Sequence, residues 1–132
     1  RRFRALKLWC LIKEQGVSGL QERIREDINN AQWLKEQIEK EPQWDILAPV
    51  TLQTICVRHT PPGLKNELLE KHTLQWVTDI NNGGTAYLTP GQLNGKWMVR
   101  ISIGAEATTL KHVKALWITM KSAVNKESQG NL

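Results

Sequence analysis

Apolar residues recur along this chain at two periods, and the changes between them mark its elements. Over residues 1–15, Phe3, Leu6, Trp9 and Cys10 fall at helical spacing, and Leu11 and Ile12 widen the stripe. Gly16 ends this first predicted helix, since glycine takes a positive φ just past a helix C-terminus. No capping residue precedes Arg1, so the helix reads as cut on its N-terminal side. Ser18 opens a second helix through an S-x-x-Q capping box with Gln21. Val17, Leu20, Ile24, Ile28, Ala31, Leu34 and Ile38 then recur at steps of three and four, with Arg23, Arg25, Glu26, Asp27, Lys35 and Glu39 on the other faces. Glu41-Pro42 stops it, because the residue before proline is pushed out of the helical region.

Period two takes over next. Residues 44–48 form a short strand candidate between Pro42 and Pro49, and 51–58 a second with Ile55 and Val57 on one face. Pro61-Pro62-Gly63 breaks the chain, and 64–80 reads as a helix aligning Leu64, Leu68, His72, Trp76 and Ile80. Asn81-Asn82-Gly83-Gly84 ends it. Residues 85–93 and 96–103 form a hairpin about Asn94-Gly95, the favoured type I′ pair, with Trp97, Val99, Ile101 and Ile103 on its buried face. A last helix starts at Thr108 or Thr109, buries Leu110, Val113, Trp117, Met120 and Val124, and gives way to a polar tail at Asn125. The order α-α-β-β-α-β-β-α predicts an α+β fold: a small antiparallel sheet with helices packed on one face.

Composition narrows this only a little. The 132 residues suit one domain with a core that needs no disulfide staples. No run approaches the length a membrane span needs. Cys10 and Cys56, without motif spacing, read as small buried hydrophobes and reduced thiols in a cytosolic setting. The chain opens on Arg-Arg-Phe-Arg with no Met and no signal segment, so it reads as a piece of a longer protein that is not secreted.

Most catalytic templates fail. Gly91 to Lys96 has one residue too few for a phosphate-cradling loop, Trp97 follows where Ser or Thr is required, and the hairpin turn accounts for the glycines. His59, His72 and His112 stand apart, without the pairing a metal site needs. Six tryptophans beside a net charge of +5 raise a single-stranded nucleic-acid reading. However, Trp9, Trp76, Trp97 and Trp117 lie on core stripes, leaving only Trp33 and Trp44 for exposure. Arg1, Arg2, Arg4 and Lys7 would repel one another unless anions sit nearby. They pair with another part of the protein, or one of them supports a site formed there.

These residues also carry a family resemblance. Arg1-Arg2-Phe3-Arg4-Ala5-Leu6-Lys7-Leu8-Trp9 followed by Gly16-Val17-Ser18-Gly19-Leu20 resembles the opening of the C-terminal part of group II pyridoxal-phosphate decarboxylases. Ile55-Cys56-Val57-Arg58 is similar to their V-C-F-R strand, and Asn66-Glu67-Leu68-Leu69 to the helix start that follows. Tyr87-Leu88-Thr89, the stretch from Leu93 to Gly104, and His112-Val113 with Trp117 resemble their closing hairpin and helix. The Arg-Arg-Phe-Arg opening looks more like the aromatic than the glutamate branch.

The resemblance implies a C-terminal domain of a fold-type I pyridoxal-phosphate enzyme. Residues 1–16 would bridge to a large domain, 17–124 form the small domain, and 125–132 a polar tail. It further implies a cytoplasmic, homodimeric carboxy-lyase that releases CO2 from an amino acid, with no nucleic-acid or membrane partner. The family's Schiff-base lysine, ring-nitrogen aspartate and stacking histidine belong to the large domain, and no His-Lys pair occurs here. No catalytic, cofactor or metal residue therefore transfers to this sequence. Arg2 and Arg100 match arginines of the family pattern and are candidates to brace the active-site region. The chain alone is expected to be inactive, with a packing role. The rival expectation is a free-standing α+β module that binds nucleic acid or an acidic protein.

Overall fold

The first helix, α1 (Arg4–Glu39), joins both predicted N-terminal helices into one element with a single break at Gly16, where φ is 67° and ψ is 178°. Only its second half enters the core, through Ala31, Leu34 and Ile38. The computed structural model describes residues 2–130 in backbone and 2–125 in side chain, so Arg1 and residues 131–132 of the predicted tail lie outside it. The first half of α1 carries its apolar stripe in the open: Phe3 is 74% exposed, Trp9 57% and Val17 68%. Trp9 is thus not a core residue, and Cys10 is exposed too. Periodicity marks a face correctly, but nothing in the described residues reaches far enough along α1 to cover this one.

Three hydrogen-bonded pairings build one sheet from β1 (Trp44–Ile46), β2 (Thr54–His59), β3 (Thr89–Leu93) and β4 (Lys96–Ser102). The order is β1-β2-β4-β3, and every pair is antiparallel. Val57 stands opposite Val99, and Ile55 opposite Ile101. Alternation sends these four side chains to the face that α1, α2 (Asn66–Gly83) and α3 (Leu110–Gly130) cover. Trp76, Ile80, Val113 and Met120 complete that core. Cys56 and Arg100 alternate onto the opposite face, where Cys56 is half-buried rather than a core hydrophobe.

Trp44 overturns its expected exposure. It is 7% exposed and central, because β1 pairs with β2 and turns its first side chain toward the helices. Trp33 and Trp97 are only half-buried, while Leu68 and Leu110 are exposed at the open ends of α2 and α3. Helix α3 runs on to Gly130, past the predicted start of the tail. No described helix is long and apolar enough to cross a membrane.

The hairpin turn is as predicted. Asn94 and Gly95 have φ of 51° and 74°, the doubly left-handed geometry that matches strand twist. Its first strand starts later than expected, at Thr89, because Asn81 holds the preceding segment. The Asn81 side-chain amide donates to Leu88 O (2.9 Å) while its oxygen accepts from Leu88 N (2.7 Å). Space is open around Gly95, so Gly95→Ala meets only backbone strain. It should cost ~1 kcal/mol and lower Tm by about 3–5 °C, measured by thermal unfolding.

Candidate functional site

The two arginines singled out by sequence sit on different elements. Arg2 precedes the first turn of α1 and is exposed, its carbonyl accepting from Arg4 N at 2.8 Å. Arg100 is exposed in the middle of β4, flanked by Cys56 on β2 and Thr89 on β3. They share no hydrogen bond or ion pair, and neither forms an ion pair among the described residues.

Polar chemistry gathers instead where β2 ends. His59, the last residue of β2, alternates onto the helix-covered face, and α2 places His72 one turn before Trp76. His59 Nδ1 and His72 Nε2 lie 2.8 Å apart in hydrogen-bond contact. Indoles wall the pair in. Trp44 is 4.8 Å from the His59 ring and meets Trp76 and Trp117 edge-on at 5.6 and 5.4 Å. Burial, and then the charge of His72, lower the His59 pKa from 6.5 to about 4. Sequence reasoning missed this pair, because a separation of 13 residues resembles no ligand spacing.

A cavity of about 200 Å³ opens beside the pair, lined by Glu41, Gln43, Trp44, His59, Lys121 and Asn125 among others. Lys121 Nζ lies 3.3 Å from Glu41 Oε1 and 5.2 Å above the Trp117 ring. Next to it, Glu70 clamps the start of α2 to the sheet. Its Oε1 accepts from Arg58 Nη2 at 2.5 Å and its Oε2 from Trp97 N at 3.0 Å. Arg58 is 6% exposed, and its Nε has no partner among the described residues.

None of this suits pyridoxal phosphate, which needs a sheltered amine, a carboxylate at its ring nitrogen and donors for its phosphate. Every described lysine is exposed or half-buried. Lys121 is committed to Glu41, and that carboxylate lines the cavity where a phosphate would require donors. The described residues also hold no group of His, Cys, Asp or Glu fit for a metal ion.

Comparison with known proteins gives the architecture its context. A family described as the pyridoxal-dependent decarboxylase conserved domain matches residues 1–60. A tryptophan decarboxylase of Camptotheca acuminata is 36% identical over 121 residues, covering 89% of this chain and 24% of the relative. A 4-hydroxyphenylacetaldehyde synthase of Rhodiola rosea is 35% identical over 121 residues, with the same coverage of 89% and 24%. The solved Catharanthus roseus tryptophan decarboxylase, in complex with L-tryptophan, superposes with a TM-score of 0.83 at 27% identity. That match covers 96% of this chain and 26% of the other. The antiparallel sheet backed by three helices is thus a part of the decarboxylase fold. The chain belongs to the group II pyridoxal-phosphate-dependent decarboxylases, whose cofactor is pyridoxal phosphate, and spans about a quarter of the length of the curated relatives it matches.

Proposed function

We propose that the chain is the C-terminal portion of a pyridoxal-phosphate-dependent L-amino acid decarboxylase acting on an aromatic amino acid, and that its own part is to pack against a large cofactor-binding domain. The observation that carries this role is the stripe of Phe3, Leu6, Trp9, Ile12 and Val17, exposed on the half of α1 that precedes the core. An apolar face of that extent on a soluble domain marks an interaction surface. In this reading residues 1–16 bridge the domains, the large domain supplies the lysine and its charge partner, and Arg2 and Arg100 brace the active-site region. The enzyme is a cytoplasmic homodimer with no nucleic-acid or membrane partner. Likeness to an aldehyde synthase at 35% identity motivates a second reading, in which the same architecture yields an aldehyde.

The full-length protein, loaded with pyridoxal phosphate, should release CO2 and an arylalkylamine from an aromatic L-amino acid. This chain alone should release neither. Chromatography of the products separates amine from aldehyde, and aldehyde would establish the second reading. A cofactor-loaded protein that turns over no L-amino acid would sink both. Within the active enzyme, Arg2→Gln should lower turnover or cofactor retention, and unchanged values would remove the bracing role.

A further inference from the structure

We propose that His59 and His72 form an acid-released latch, in which one N–H···N bond fastens the end of β2 to α2 and proton uptake through the adjoining cavity undoes it.

The geometry allows a single bonding arrangement. Neutral imidazole offers one donor and one acceptor, so a 2.8 Å gap between Nδ1 and Nε2 holds one shared proton. When both rings are charged, the two nitrogens become donors facing one another, and the contact turns repulsive. Water cannot relieve this, since His59 is 5% and His72 7% exposed. Protons can still arrive, because His59 itself lines the cavity.

The surrounding charges do not rescue an imidazolium. Ahead of β1, Glu41 is paired with Lys121 of α3, so the two offset each other across the cavity. On β1, Asp45 accepts from Thr60 Oγ1 at 3.1 Å. Glu70 of α2 is held by Arg58 of β2 and by Trp97 N of β4. Lys71 on α2 and Lys96 on β4 are exposed cations. Each carboxylate near the pair therefore already has a partner, and the nearest indoles contribute only apolar walls.

The direction follows from linkage. His59 binds a proton less readily folded than unfolded, with its pKa falling from 6.5 to about 4. The unfolded chain thus takes up more protons between those values. The latch holds in full above pH 6.5 and loosens as pH falls toward 4. Over that interval the unfolding equilibrium should shift on the order of 300-fold from His59 alone.

Imidazole NMR of the full-length protein, titrated from neutral to acid pH, tests this directly. His59 should titrate near 4, and β2 and α2 amides beside the pair should lose exchange protection over the same range. Titration of His59 near 6.5, or protection that persists until global unfolding, would overturn the latch. Urea unfolding adds a second measurement. His59→Leu should flatten the acid dependence of the midpoint, while His112→Gln, outside the pair, should leave it unchanged. An undiminished slope in His59→Leu would also overturn the proposal. Should that variant fail to fold, the titration of the unmodified protein still decides.

Discussion

Trp76→Ala is expected to lose about 3–5 kcal/mol, enough to bring a domain of ordinary stability close to unfolding. Trp76 has no exposed surface and lies against Trp44, which in turn contacts Trp117, so its indole joins α2 to β1 and α3. Alanine leaves a cavity that three rigid elements cannot collapse to fill. The chemistry of the ring offers a control. Trp76 Nε1 is buried without a hydrogen-bond partner among the described residues, a cost that Phe does not carry. Trp76→Phe should therefore stay within about 1.5 kcal/mol of the parent. Urea unfolding followed by far-UV circular dichroism reads both. An alanine variant that loses under about 1 kcal/mol would show that the indole is not central to the packing.

Glu70→Ala should cost about 3–5 kcal/mol by a different route. The Arg58 guanidinium, with its side chain 7% exposed, would keep its charge and lose the carboxylate that compensates it. Trp97 N would lose its acceptor in the same step. Burial of an unpaired charge is what makes the single substitution severe, so removing the charge as well should relieve it. Arg58→Met combined with Glu70→Ala should recover more than half of the loss, and chemical unfolding of the three variants completes the cycle. A double variant no more stable than Glu70→Ala would mean that the Trp97 contact, not the ion pair, is the clamp.

Much of the scaffold was legible beforehand. Gly16, the Asn94-Gly95 turn and the alternation along Val99 and Ile101 each depend on local backbone preference or local period, and each stands where the pattern puts it. The exceptions share a cause. Trp44 looked exposed because a three-residue strand shows too little alternation to declare its inner face, and pairing with His59 settles it. Trp9 looked buried because helical period reveals a face without revealing what lies over it. Asn81 looked like punctuation, whereas its side chain completes the backbone bonds of Leu88 from within α2.

The sequence by itself determined the element order, the antiparallel α+β class and the family resemblance, because these rest on local period, turn chemistry and motif order. Tertiary structure alone decided that His59 meets His72, that Glu70 anchors buried Arg58, and that the first half of α1 stands clear of the core. Each of these is a meeting between residues of different elements, or the lack of one. Side-chain chemistry at a single position carries no record of its distant neighbours; the packing of sheet against helices creates them, and with them the burial that sets charge and proton affinity.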